Sequence, residues 1–370
     1  MAAQGATPPP HPPVENSAFA EYESRKGVKH LVDTRTDHLK TIPRQYVLPA
    51  ALRPLTAVSP IPLPTVDLSG LQGPPAWREL TVRHIALACQ EWGFFRIVNH
   101  GIKESLTEEM MRTVDAFFSL PWEEKAKYTS DDVMSTVRYG TSMNTPKPHI
   151  LQWRDYLRHY GHPFYTSFHL WPDRPQNYRE VAKEYLEEIW KVVLDLAGAI
   201  SEGLGLERNY IKESLGEGTQ ILAANYYPAC PQPELTLGLS PHSDHGGLTL
   251  LVDNGVTGLQ VKHDNNWVPV PHLPGSFLVN IGDYLEILSN GRYKSVEHRA
   301  VVNKERTRIS IAAGHGPQLS AAIGPAETLV EQDGGPKYKT MTYSDFMREQ
   351  QSSAIRGKTA LEAVLKRVAS

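Results

Sequence analysis

Cysteine is almost missing from this chain of 370 residues: Cys89 and Cys230 are the only two. At most one internal disulfide can form, and no cysteine-built zinc cluster is possible. So sparse a use of cysteine predicts a reduced, cytoplasmic setting. Long apolar runs are missing as well. No stretch reaches the ~18 apolar residues that a spanning helix needs, so no membrane partner is expected. The first thirteen residues, MAAQGATPPPHPP, have neither the apolar core of a secretory signal nor the Arg-rich pattern of a transit peptide. Positive charge is not in excess: 38 basic and 41 acidic residues leave a net charge of −3. Without a basic patch, nucleic acid is not an expected partner. What the chain does hold, 40% hydrophobic and 21% charged residues, is the composition of an ordinary globular protein and excludes a mostly disordered one.

Composition then shifts along the chain. Residues 1–16 are proline and small polar residues and read as a disordered tail. Residues 17–215 read as a helical and extended N-terminal region. Prolines at 43, 49, 54, 60, 62 and 64 predict an extended arm that ends in a short strand at Pro64-Thr-Val-Asp-Leu. Apolar spacing predicts helices over Arg78–Trp92, with Leu80, Ile85, Ala88 and Cys89 inward, over Lys103–Leu120, and over Asn177–Leu204. The last carries Val181, Tyr185, Ile189, Val192, Leu196 and Ile200 on one stripe, which suits packing on a sheet. Phe94–Val98 reads as a buried strand.

After about Thr219 the pattern becomes β-rich. QILAANYY, LTLLV, TGLQV, WVPV, SFLVNI, SVEHRAVV and RISIA are short strand candidates, separated by turns at Asp253-Asn254-Gly255, Asp264-Asn265-Asn266 and Asn290-Gly291. Residues 216–325 therefore read as a β-sandwich or barrel, the jelly roll among the candidates, and 326–370 as a C-terminal helical segment. The fold class is mixed α and β.

Candidate chemistry sits inside this β-rich region. His242 and Asp244 are two positions apart, so a strand would project both to one face. His298 lies in a later strand candidate. Two imidazoles and one carboxylate make the facial set that leaves positions open on non-haem Fe(II). The same set could also hold zinc with an open hydrolytic position. Arg308 and Ser310, ten and twelve positions past His298, share one strand face and offer a guanidinium fork and a hydroxyl to a carboxylate. Asn280-Ile-Gly282-Asp283 reads as a structural turn.

The ordered runs Asn225-Tyr-Tyr227-Pro-Ala-Cys-Pro, His242-Ser-Asp244, Asn280-Ile-Gly-Asp283, Lys294-Ser-Val-Glu-His298-Arg and Arg308-Ile-Ser310 resemble the plant 2-oxoglutarate and Fe(II)-dependent dioxygenases of specialised metabolism. Trp92-Gly-Phe-Phe-Arg-Ile-Val-Asn-His-Gly101 and Trp153-Arg-Asp-Tyr-Leu157 are similar to that family's upstream segments. The likeness spans roughly residues 60–350.

This resemblance implies a double-stranded β-helix (jelly roll) core. It implies Fe(II) held by His242, Asp244 and His298, and 2-oxoglutarate gripped by Arg308 and Ser310 and oriented by Tyr227 and Asn225. It further implies O2 and a small organic molecule as co-substrates, release of succinate and CO2, and ascorbate as a supporting reductant. The organic substrate would be a plant metabolite, phenolic or flavonoid-like, most often hydroxylated. Tyr139, Tyr156, Phe168, His245, Gly314 and His315 are candidates to line its pocket. Relatives commonly carry an aromatic residue where Gly314 stands. Either Gly314 leaves that volume open to substrate, or Gly314 and Gly316 allow a turn before Pro317. Two other readings stay open, a non-catalytic small-molecule binder of the same fold and a zinc hydrolase. The default oligomeric state is a monomer.

Overall fold

The computed structural model describes residues 25–34, 40–54, 60–142, 150–352 and 358–365. The Pro-rich tail lies outside the described residues. Twelve strands form two sheets: β1 Thr65–Asp67, β2 Phe94–Val98, β3 Val137–Thr141, β4 Asp155–His162, β5 Thr219–Tyr227, β6 Leu239–His242, β7 Leu248–Asp253, β8 Leu259–His263, β9 Asn266–Pro269, β10 Phe277–Ile281, β11 His298–Ala300 and β12 Arg308–Gly316. The larger sheet runs β1-β2-β10-β7-β12-β5-β4-β3 and the smaller β6-β11-β8-β9. Phe94 and Leu278 of the larger sheet pack against Leu259, Val261 and Val268 of the smaller, so the two sheets face each other as a jelly roll.

Alternation on the central strand decides which side does what. Ile309, Ile311 and Ala313 of β12 point into the main hydrophobic core, while Ser310, Ala312 and Gly314 point the other way, toward the smaller sheet. Three helices cover the core face: α1 Pro75–Glu91, α2 Glu104–Phe118 and α3 Tyr178–Gly203. All six residues of the α3 stripe are buried, and the helix stops before Gly205 at φ +75°. In α1 the buried face is Thr81, Ile85, Ala88 and Cys89. Leu80, expected inward, is 52% exposed. A 100° step per residue carries position 80 away from the stripe that 81, 85, 88 and 89 define.

The remaining differences follow from tertiary context. In its described residues the proline arm makes 3-10 turns at Arg44–Tyr46 and Ala50–Leu52, and it packs Ile42 and Tyr46 on Trp153 and Tyr227. Strands β3 and β4 come from a region without apolar alternation and complete the large sheet beside β5, so that sheet extends upstream of residue 216. Only three residues of SVEHRAVV pair as a strand, whereas RISIA extends to Gly316. The expected turns hold left-handed residues at Gly255, Asp264, Asn265, Asn290 and Gly291. Cys89 and Cys230 are both free and buried. No described helix is long and apolar enough to cross a membrane.

Candidate active site

His242 closes β6 and His298 opens β11, and the two are cross-strand partners with ring centroids 4.2 Å apart. Asp244 does not share their strands. It lies two residues past the end of β6, where its carbonyl accepts from the Asp283 backbone N–H at 2.8 Å. The loop, rather than strand alternation, turns the carboxylate between the imidazoles. Asp244 Oδ1 stands 3.8 Å from His242 Nε2 and 3.7 Å from His298 Nε2, and all three potential ligand atoms lie within 4.8 Å of one another.

The surrounding hydrogen bonds orient each of these atoms. Asp244 Oδ2 accepts from Thr249 Oγ1 at 2.6 Å and from Asn280 Nδ2 at 2.9 Å, which leaves Oδ1 for a metal. Asn280 is thus a strand residue of β10 supporting the carboxylate, not part of a turn. His242 Nδ1 meets Ser240 O at 2.9 Å, and His298 Nδ1 meets Val296 O at 3.2 Å. A carbonyl only accepts, so the proton sits on Nδ1 and each Nε2 presents a lone pair. Burial first, and His298 second, push the His242 pKa down to about 3, which keeps the ring neutral as a ligand must be. Burial alone would raise Asp244. The neighbouring histidines and the two hydrogen bonds outweigh it and hold the carboxylate at about 2.

Beside this triad lies a cavity of about 150 Å³ between the sheets, lined among others by Asn225, Tyr227, Arg308 and Ser310. Register places Tyr227 opposite Arg308 and Asn225 opposite Ser310. The Arg308 guanidinium is 1% exposed. It donates Nε–H to Val256 O at 3.1 Å, pairs with Asp253 Oδ2 at 3.3 Å and lies 5.3 Å from the Tyr227 ring centroid. Ser310 Oγ is buried and has no hydrogen-bond partner in the structure. Leaving such a group unpaired costs about 1–3 kcal/mol. An acceptor arriving beside a guanidinium would remove that cost, so the pair fits a carboxylate.

Comparison with known proteins gives this arrangement its context. The profile of the 2OG-Fe(II) oxygenase superfamily matches residues 218–317, and that of the non-haem dioxygenase in morphine synthesis N-terminal region matches 63–179. Flavanone 3-dioxygenase 2 of Oryza sativa subsp. japonica is 43% identical over 312 residues, covering 84% of this chain and 90% of that protein. The chain belongs to the 2OG-Fe(II) oxygenase superfamily. Jasmonate-induced oxygenase 2 of Arabidopsis thaliana is 38% identical over 366 residues, 94% of this chain and 98% of the relative. The crystal structure of JOX2 in complex with 2OG, Fe and JA superposes with a TM-score of 0.83 at 36% identity, covering 92% of this chain and 98% of that one. The protein is therefore a 2-oxoglutarate-dependent dioxygenase, an oxidoreductase that uses Fe(II), O2 and 2-oxoglutarate and releases succinate and CO2.

A second cavity of about 180 Å³ opens on the other flank of His242 and Asp244. Its walls include Ile221, Ala223, His245, Ala312 and Gly314 of the oxygenase. Gly314 lies within β12 without positive φ, so the turn reading falls. A Cβ there would meet Thr249 Oγ1 at 3.6 Å, an ordinary contact. His245 Nδ1 is paired with Tyr343 Oη at 2.8 Å. Tyr156 faces the same side of the large sheet as Asn225, with Arg154 stacked 4.9 Å from its ring centroid.

Three candidates go elsewhere. Tyr139 is buried in the main core near Phe117 and Trp122. Phe168 packs on Trp171 at the edge of that core. His315, one step along β12 from Gly314, points to the core side and bonds Gln220 at 2.9 Å. Aromatic identity does not say which face of a sheet a residue takes. Sequence patterns also pass over Arg154, Arg158, Thr249 and Gln350, which all line one of the two cavities. Arg154 sits in the Trp153–Leu157 segment just before β4, and the only signal for Arg158 is its spacing four residues on, visible once that strand is known.

Proposed function

We propose that His242, Asp244 and His298 hold the Fe(II), that Arg308 and Ser310 bind a carboxylate of 2-oxoglutarate, and that Tyr227 and Asn225 orient it. The organic substrate then occupies the second cavity and is hydroxylated there. Iron and 2-oxoglutarate bound in this site supply the oxygen activation. The chain's own residues hold the ligand geometry, orient both substrates and line the reaction space with apolar surface at Ile221, Ala223 and Ala312, which excludes water. The unpaired Ser310 hydroxyl beside Arg308 carries this reading. A zinc hydrolase would need the triad but gives that hydroxyl no partner.

The substrate we infer is a small plant specialised metabolite of phenolic type, turned over in the cytosol, where two unpaired buried thiols are stable. The name of one relative, flavanone 3-dioxygenase 2, supports a phenolic substrate. A cavity of about 180 Å³ lies below the ~300–1,000 Å³ of sites that enclose drug-sized ligands, which favours a single-ring compound over a three-ring flavonoid. Oxygen uptake and succinate formation, measured over a panel of such compounds, test the assignment. One or more should stimulate both in equal amount. Hydrolysis without succinate would sink the oxygenase roles given to these residues.

Gly314→Phe tests the cavity wall. The strand backbone tolerates a side chain, so the variant should fold and retain iron and 2-oxoglutarate binding. It should decarboxylate 2-oxoglutarate without coupling and lose large substrates before small ones, by about tenfold or more for the largest, because each unfilled ring contact is worth at least ~1–3 kcal/mol. An unchanged substrate range would remove Gly314 from the pocket.

A further inference from the structure

Two buried arginines stand side by side on the cavity side of the large sheet. Arg138 of β3 and Arg158 of β4 are direct cross-strand partners, 6% and 8% exposed. Like charges in that position repel, and burial removes the water that would screen them. Among the described residues no carboxylate pairs with Arg158: burial pushes its pKa down first, and Tyr160, Arg138 and Tyr156 also act on it. Its Nη1 donates to Val133 O at 2.8 Å, and its guanidinium carbon lies 5.5 Å from the Tyr160 ring centroid. Arg138 donates Nε and Nη2 to Ser130 O at 3.1 and 2.9 Å, while its Nη1 is buried without a partner.

Arg158 also lines the second cavity together with His242 and Asp244, where the remaining wall is largely apolar. Arg154, the residue just before β4 and also near the candidate metal ligands, is differently employed. Its two terminal nitrogens are taken by Asn225 Oδ1 at 3.0 Å and Ser142 O at 2.8 Å. A buried cation pair with no counter-charge among the described residues, one member of which lines a largely apolar cavity beside the candidate metal ligands, is a site that lacks an anion.

We propose that the organic substrate carries a carboxylate and that Arg158, backed by Arg138, binds it. This rests on the second cavity being the substrate site. The apolar body of the acid then lies along Ile221, Ala223, Ala312 and Gly314, with the carbon to be oxidised near His242 and Asp244. Arg308 and Arg158 divide the labour by position: one takes the co-substrate's carboxylate on the first flank of the metal ligands, the other the substrate's on the second.

The test compares acids with their uncharged methyl esters. Benzoate, 4-hydroxybenzoate, phenylacetate, cinnamate and cyclopentylacetate, each beside its ester, are titrated calorimetrically into the full chain loaded with Ni(II) and 2-oxoglutarate, which cannot turn over. Succinate release is followed in parallel with Fe(II). At least one acid should bind about tenfold or more tightly than its ester. Arg158→Gln should weaken that acid by about 10- to 100-fold and the ester by less than about threefold, as expected for loss of a charge-assisted hydrogen bond. Arg158→Lys should fall between, since it keeps the charge and loses the fork. Retained 2-oxoglutarate binding reports that each variant is folded. The proposal is overturned if no acid outbinds its ester, if Arg158→Gln leaves the acid's affinity unchanged, or if it weakens 2-oxoglutarate as much as the acid. Acid binding lost with Arg158→Gln, but with no succinate from any compound, would instead keep the anion site and overturn its reading as the substrate cavity.

Discussion

Asp244→Ala abolishes iron-dependent turnover, with a loss greater than the ~10–100-fold that follows from disturbing groups behind a metal ligand. The carboxylate is the only anionic member of the triad, and its Oδ1 faces both imidazole Nε2 atoms. His242→Ala and His298→Ala should be equally inactive, because two ligands cannot define a facial site. The fold should survive in each case. In Asp244→Ala the Thr249 hydroxyl and Asn280 amide lose their acceptor, which costs stability of about 1–3 kcal/mol each if water does not replace it. Bound iron, measured by metal analysis after gel filtration, should fall with activity. Thr249→Val should fall in between, since it frees the carboxylate to rotate without removing it. Near-parental activity in any of the three ligand variants would refute the triad.

Arg308→Lys raises the KM for 2-oxoglutarate by about 10- to 100-fold, matching the ~1.5–3 kcal/mol of a hydrogen bond to a charged group. Lysine retains the positive charge but cannot present two parallel N–H groups while holding Val256 O and Asp253 as the guanidinium does. The KM of the organic substrate should change by less than about threefold, because its cavity lies on the opposite flank of His242 and Asp244. Steady-state kinetics with each substrate varied in turn separate the two. A defect confined to the organic substrate would move Arg308 out of the co-substrate site.

Short-range pattern accounts for much of this molecule. The α3 stripe, the turns at Gly255 and Asn290 and the strand at Phe94–Val98 depend on neighbours within a few residues, and such relations are written directly in the order of side chains. His242, Asp244 and His298, which the fold brings together, and Arg308 and Ser310, which line the cavity beside them, could be picked out as candidates because metal and carboxylate chemistry restricts residue types sharply. Even there, the reason for one placement differs from its pattern: Asp244 reaches the imidazoles from a loop anchored by the Asp283 N–H, not from a shared strand.

By itself, then, the order of residues determined the mixed fold class, the three long helices and the candidate groups for metal and co-substrate. Tertiary structure alone decided which residues line the second cavity. Strand β4 shows why. Its sequence, Asp155-Tyr-Leu-Arg-His-Tyr-Gly-His, has no apolar alternation, because one face sends Arg158 to the second cavity while the other buries Leu157 and a His159 bonded to Tyr178. Only pairing with β3 and β5 sends Arg158 to the cavity and sets it against Arg138. The same pairing logic on β12 turns Gly314 to the cavity and His315 to the core, a difference of one residue that period-two geometry fixes only after the register is set.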